Sequence, residues 1–197
     1  MEIEAAKREE DPGARALRLD DSLAVMQHLL QSVRDLSLGL RPALLDEVGL
    51  AAALRAHAQA QAARGGLAAR LDVDLTLPRC DPAVEIACFR VAQEALTNVL
   101  RHAGAKSVEV ALGRCGDELR LRVRDDGAGF DVASASARAA AGASFGLVSM
   151  RERINLAGGT FLCKSAPGQG AEIEAHFLLA VTRTDYGYEK AARNSGG

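Results

Sequence analysis

Asp125, Gly127 and Gly129 form the most informative chemical pattern of this chain, Asp-Asp-Gly-Ala-Gly. They follow the alternating run 119–123, so Asp125 is predicted to stand at the end of a strand. Two glycines two residues apart allow a sharp turn and leave a backbone surface free of side chains, on which a flat ring can lie. An ionised carboxylate only accepts hydrogen bonds, so Asp125 suits the exocyclic amine of adenine and would repel guanine. The alternative is an ordinary turn, since Asp-Gly is a common turn pair.

A second group lies along one predicted helix, where Arg90, Glu94, Asn98 and His102 recur every four residues and share one stripe. Such a stripe is usually a solvated face. Here Glu94 is a candidate base, and the amide oxygen of Asn98 is a hard ligand that suits magnesium. One asparagine is sufficient as a protein ligand where Mg²⁺ keeps its waters and binds substrate phosphates.

The third group is Gly146 with Leu147, which are predicted to open a helix. The first backbone amides of a helix are unpaired, glycine lets an anion approach them, and the helix dipole favours a triphosphate. Residues 132–144 before them are mostly small. Their propensity permits a short helix, but we interpret them as a mobile lid between two glycine-bearing turns.

These groups need a framework of helices and strands to position them. Asp81-Pro82 is predicted to cap a helix that runs to about Leu100 and turns Ile86, Phe89, Leu96 and Leu100 to a core. The other predicted elements, in chain order, are a connector at 44–50, a helix at 51–63, a strand at 71–77, hairpin strands at 108–112 and 118–123, a helix at 146–157, and strands at 160–165 and 171–179.

A long helix is predicted from Pro12 to about Leu40. Its apolar residues follow an alternating spacing of four and three, broken only by Ser37: Leu19, Leu23, Met26, Leu30, Val33 and Leu40. This seam favours a helical bundle, and therefore self-association, over a helix packed on its own domain. Residues 181–197 are polar and are predicted to be disordered.

Composition limits the function classes. The chain has 197 residues, 48% of them hydrophobic, which predicts one domain plus an extra element. A net charge of -2 gives no electrostatic footprint for nucleic acid or an anionic membrane. We interpret Cys80, Cys88, Cys115 and Cys163 as reduced core thiols of a cytoplasmic protein, because they lie far apart and form no Cys-x-x-Cys pair. No apolar run is long enough to span a membrane.

The three groups, in their order along the chain, resemble the conserved boxes of sensor histidine kinases. Residues 94–103 are similar to the Asn box, 125–130 to the first glycine box and 145–153 to the second. Residues 40–50, Leu-Arg-Pro-Ala-Leu-Leu-Asp-Glu-Val-Gly-Leu, look like the junction between the helical hairpin and the catalytic domain. The likeness points to the subfamily whose partner response regulators carry DNA-binding helix-turn-helix domains.

The resemblance implies a two-layer α/β sandwich, shared with gyrase and a heat-shock chaperone, in which a mixed sheet is covered by helices. Residues 1–45 would be part of the dimerisation and phosphotransfer helices, 46–180 the catalytic ATP-binding domain, and 181–197 a tail. ATP and Mg²⁺ are the implied ligands. The implied roles are an acceptor for adenine at Asp125, pocket shaping by Gly127 and Gly129, a magnesium ligand at Asn98, a base or water-positioning group at Glu94, and phosphate contacts from Arg101, His102, Gly146 and Leu147.

The sequence also departs from this family. Ser144 and Ser149 replace common glycines, and Ala171 stands where threonine is frequent. The family phosphorylates a histidine that is typically followed by an acidic residue, whereas the four histidines here precede Leu, Ala, Ala and Phe. We therefore expect a fragment whose phosphoacceptor lies outside this chain.

The alternatives are a serine-phosphorylating anti-sigma switch kinase, an ATPase of the gyrase or chaperone type that uses Glu94 as base, and a plain dimerisation module.

Overall fold

The computed structural model describes residues 43–135 and 146–179. Three predictions lie outside these ranges: the long helix from Pro12, the tail after residue 180, and most of the segment interpreted as a lid. Of that segment, residues 132–135 form one helical turn.

Three α-helices, one π-helical turn and five strands make up the described domain. In chain order they are α1 (Ala43–Gly65), β1 (Ala68–Val73), α2 (Pro82–Asn98), the π turn (Val99–Ala103), β2 (Ser107–Cys115), β3 (Glu118–Asp125), α3 (Gly146–Leu156), β4 (Thr160–Ser165) and β5 (Ala171–Leu178).

The strands form one mixed sheet in the order β1-β2-β3-β5-β4. β1 pairs parallel to β2, and the other pairs are antiparallel, including the predicted hairpin of β2 and β3. In the register of this sheet Val110 lies opposite Val123, which in turn lies opposite Ile173. Because side chains alternate between the faces of a strand, these apolar residues share one face, and the helices cover it. This confirms the two-layer α/β architecture.

The centre of the helical layer is α2, whose buried residues face α1 on one side and α3 on the other. The predicted cap is confirmed, since the Asp81 carboxylate accepts a hydrogen bond from the amide of Ala83 at 2.8 Å. Phe89 and Leu96 are buried, as the periodicity predicts, while Ile86 and Leu100 are only half-buried.

The structure corrects three sequence predictions. The connector at 44–50 is helical and joins α1 across a break at Gly49, where φ is +78° and ψ is 173°. β1 ends at Val73, so Leu75 lies beyond the strand and is exposed. Among the four thiols only Cys88 is fully buried, whereas Cys115 is exposed at the hairpin turn and is not a core residue.

Candidate nucleotide site

A cavity of about 180 Å³ lies between the sheet, the C-terminal end of α2 and the start of α3. Five of the residues singled out in the sequence line it: Asn98, His102, Asp125, Gly129 and Leu147. The tertiary structure therefore brings together side chains from all three sequence groups. Residues up to 78 positions apart in the chain, Ala95 and Ile173, thus surround a single space.

Asp125 provides a carboxylate at the wall of this cavity. It is the last residue of β3, and only 8% of its surface is exposed. Its Oδ1 atom accepts a hydrogen bond from the amide of Gly127 at 2.8 Å, which fixes the direction of the carboxylate. A carboxylate has further acceptor positions, so Asp125 is still able to receive a donor from a ligand.

The glycines of the turn after Asp125 are required by close backbone contacts. A Cβ atom on Gly127 would lie 2.4 Å from the carbonyl oxygen of Ala103, and one on Gly129 would lie 2.1 Å from that of Ala166. Gly129 also has a φ of +61°, which glycine adopts without steric cost. The turn is thus pressed between the π turn and the loop that joins β4 to β5.

Asp126, the exposed neighbour of Asp125, ties the same turn to the start of β2. Its Oδ1 accepts from the amides of Lys106 at 2.8 Å and Ser107 at 2.9 Å, and its Oδ2 accepts from the Ser107 hydroxyl at 2.8 Å. These hydrogen bonds lower the pKa of Asp126, and the largest contributions come from the amide and the hydroxyl of Ser107. The two adjacent carboxylates have separate roles, one facing the cavity and one holding the backbone.

Glu94, Asn98 and Gly146 meet at the junction of α2 and α3. A Cβ atom on Gly146 would lie 2.7 Å from Oε1 of Glu94 and 3.5 Å from Nδ2 of Asn98. The glycine therefore lets the first turn of α3 approach two polar side chains of α2. Asn98 lines the cavity, whereas Glu94 and Gly146 lie beside it.

The π turn carries the remaining two candidates. His102 is exposed and lies at the cavity wall, while Arg101 is exposed and does not line the cavity. Short π-helical segments often occur at functional sites, because the extra residue per turn shifts the direction of the following side chains. The turn ends at Gly104 in the left-handed conformation.

Most of the apolar wall of the cavity was not predicted from the sequence. This wall is formed by Ala95, Val99, Ala103, Val123, Phe130, Met150, Ala171 and Ile173. Val123 lies two residues before Asp125 on the same face of β3, so strand alternation was the available signal for it. Met150 and Ile173 come from distant elements, and no local pattern indicates that they meet there.

A larger and more open cleft of about 520 Å³ crosses β1, β2 and β3. Arg70, Glu109 and Arg124 lie in register across it and alternate with the inward-facing residues. This cleft is therefore formed by the polar face of the sheet. Charged residues, Asp125 among them, make up part of its lining, and because the cleft is more open, it encloses a planar heterocycle less well than the smaller cavity does.

The smaller cavity fits an adenine nucleotide by its chemistry. It combines apolar walls for a ring with the Asp125 acceptor, and Asn98 supplies an amide oxygen suited to a hard cation. Among residues 43–135 and 146–179 no group of three or more His, Cys, Asp or Glu side chains is placed to hold a metal ion. A metal here would therefore need phosphate and water ligands besides Asn98.

The sequence profile of the histidine kinase-, DNA gyrase B- and HSP90-like ATPase family matches residues 83–181, about half of the chain. This range contains the whole cavity. The chain belongs to this family. The matched range is therefore an ATP-binding domain of this family.

Its relatives include an uncharacterized sensor-like histidine kinase of Chloroflexus aurantiacus, 34% identical over 178 residues, and the sensor histidine kinase MctS of Rhizobium johnstonii, 34% identical over 166 residues. The matches cover 88% and 84% of this chain but only 30% and 36% of the relatives. The chain thus spans about a third of the length of these kinases.

The histidine kinase domain of the Erythrobacter litoralis EL346 blue-light activated histidine kinase has the same fold. It superposes with a TM-score of 0.61 at 20% identity, over 90% of this chain and 93% of the other. No helix within the described ranges is both long enough and apolar enough to cross a membrane.

Proposed function

We propose that this chain binds ATP with Mg²⁺ in the cavity between α2, α3 and the sheet, and that it serves as the catalytic part of a sensor histidine kinase. In the reaction a histidine imidazole outside this chain attacks the γ-phosphorus, the bond to the β-phosphate oxygen breaks, and ADP leaves. The observation that carries the proposal is the buried Asp125 carboxylate at the wall of a mainly apolar cavity whose other side holds Asn98.

The roles follow from where each side chain lies. Asp125 accepts the adenine amine, and the turn of Gly127 and Gly129 forms the floor of the base pocket. Asn98 would hold the metal, and Glu94 would position a water of the metal or the nucleophile. Amides at Gly146 and Leu147 face the phosphates, since both residues are in the first turn of α3. Arg101 and His102 contribute cationic or donor groups at the open side.

The proposed partners belong to the whole kinase. They are a response regulator with a DNA-binding output domain, and a second copy of the kinase bound through the N-terminal helices. The chain itself is proposed to work in the cytoplasm, without direct contact with nucleic acid. The 34% identity to kinases named as sensors supports the phosphorelay role.

The chain alone is expected to bind ATP without labelling itself on histidine. His57 packs against Phe89, with ring centroids 5.5 Å apart, and burial lowers the pKa of this imidazole. His176 lies on the polar face of the sheet between Glu118 and Glu174. His102 lies on the π turn at the cavity wall, where it is proposed as a phosphate contact and not as the nucleophile, which must be in line with the phosphate. His28 lies outside the described residues.

Incubation with γ-labelled ATP and Mg²⁺ tests this expectation. A separate helical hairpin that carries a histidine followed by an acidic residue should take up acid-labile label in the presence of the chain. A hairpin with that histidine changed to alanine is the control. Acid-labile label on the chain itself would contradict the proposal that the acceptor lies elsewhere.

Asn98→Ala is expected to remove the Mg²⁺ dependence of ATP binding and to leave adenosine binding within about twofold. The amide lies at the proposed phosphate end, so its loss removes a metal ligand but no contact with the base. Calorimetric titration of ATP with and without Mg²⁺, and of adenosine, measures both effects. Thr97→Ala is a suitable control, because the Thr97 hydroxyl donates to the carbonyl of Gln93 within α2. An equal loss of adenosine affinity in Asn98→Ala would contradict the assignment.

A further inference from the structure

The buried carboxylate of Glu85 has no part in the nucleotide site. It lies in the first turn of α2, and 1% of its side chain is exposed. Arg79 donates to it twice, from Nε to Oε1 at 2.8 Å and from Nη2 to Oε2 at 2.9 Å, and the amide of Cys80 donates to Oε1 at 3.1 Å. A bidentate pair of this kind fixes the plane of the guanidinium group.

The other side of the Arg79 guanidinium faces the first part of α1. Nη2 donates to the carbonyl oxygen of Leu45 at 3.0 Å, and Nη1 donates to that of Asp46 at 3.4 Å. These two carbonyls belong to the last turn before the helix break at Gly49. Carbonyl groups at the end of a helical segment need donors from outside it, and Arg79 provides them.

The larger apolar residues of the segment 43–48 differ in exposure. Leu45 is fully buried, whereas Leu44 and Val48 are 40% and 50% exposed. A continuous helix would fix the direction of this segment by its own hydrogen bonds, but the conformation of Gly49 interrupts the helix. The stem of Arg79 lies against Gly49, since a Cβ atom there would be 3.5 Å from its Cδ. Arg79 therefore bridges the break.

We propose that Arg79 and Glu85 are positioning residues for phosphoryl transfer, because they fix the direction in which residues 43–48 leave the ATP-binding domain. This inference rests on the proposed function. On the proposed function, the phosphotransfer helices join the domain through this segment, so its direction affects how the acceptor histidine reaches the γ-phosphate. Transfer is sensitive to such alignment, and a displacement of about 1 Å is able to lower a rate by about a hundredfold.

The ion pair of Arg79 and Glu85 is remote from the proposed nucleotide site. Glu85 and Asn98 are at opposite ends of α2, and a rise of 1.5 Å per residue puts about 20 Å between them. Loss of the bridge should therefore leave nucleotide affinity unchanged. A positioning role thus predicts a change in transfer with no change in binding.

The first experiment measures hydrogen exchange of peptides covering residues 44–49 in the whole chain. Arg79→Gln is expected to raise exchange there at least tenfold and to leave the ATP dissociation constant within twofold. Arg79→Lys should recover only part of the protection, because an ammonium group lacks the planar fork that spans Glu85 and two carbonyls. Arg114→Gln, which removes an exposed pair with Asp117, is the matched control. Unchanged exchange in Arg79→Gln would overturn the proposal.

The second experiment follows transfer of label from ATP to the added histidine hairpin, which we expect to pair with the helix predicted from Pro12 to about Leu40 and therefore to depend on the direction of residues 43–48. Arg79→Gln is expected to slow transfer at least tenfold at saturating ATP, with Arg79→Lys intermediate and Arg114→Gln like the parent. A parental rate in Arg79→Gln, together with raised exchange, would overturn the positioning role. If the parent chain labels no hairpin, the proposed function itself fails, while the exchange experiment still decides whether Arg79 holds the segment.

Discussion

Asp125→Ala is expected to weaken ATP binding by about 1 to 3 kcal/mol, which corresponds to about 5- to 150-fold in the dissociation constant. The substitution removes the carboxylate acceptor from the cavity wall and leaves the adenine amine buried without a partner. Calorimetric titration with ATP and GTP should show that the parent prefers ATP. In the variant this preference should largely disappear, because the group that repels the guanine carbonyl is gone.

Two further variants separate recognition from folding. Asp125→Asn keeps an oxygen that is able to accept from the Gly127 amide, so it should preserve the turn while it loses selectivity for adenine. Asp117→Ala removes an exposed carboxylate at the hairpin turn and should bind like the parent. If Asp125→Ala bound ATP as tightly as the parent, the adenine would have to lie elsewhere.

Gly170→Ala is expected to destabilise the domain by about 3 kcal/mol or more. Gly170 is buried and has a φ of +71°, and a Cβ atom would lie 2.1 Å from the carbonyl oxygen of Asp125. The contact is with backbone, so no flexible side chain is able to move aside. Relief of the clash would push the turn after Asp125, which is proposed to hold adenine, away from the cavity. ATP affinity should therefore fall together with stability.

Gly168→Ala is the matched control, because it isolates the conformational cost from the clash. Gly168 has a similar φ of +79°, but a Cβ atom there would meet nothing within 4 Å. Gly168→Ala is expected to lower the free energy of unfolding by about 1 kcal/mol. Urea unfolding of the two variants gives the difference directly. Equal destabilisation would show that the contact with Asp125 is not important.

Local sequence patterns predict the elements that carry the site. The cap at Asp81, the helix that holds Glu94 and Asn98, the β2–β3 hairpin and the strand ending at Asp125 follow from local patterns. Such patterns suffice because caps, turns and alternating strands depend on residues close together in the chain. The resemblance of the three boxes then indicated the family, which the profile match confirms.

Packing between elements that are distant in sequence determines the role of each side chain in the site. Only the packed domain shows that Met150 and Ile173 form a wall with Val123, that Asp125 faces the cavity while Asp126 holds the backbone, and that a break at Gly49 is bridged by Arg79. Local patterns do not contain this information, because each contact joins elements that are distant in sequence. Leu75 is a second example. The alternating pattern predicts that the first strand includes Leu75, but β1 ends where its pairing with β2 ends, at Val73 opposite Leu112.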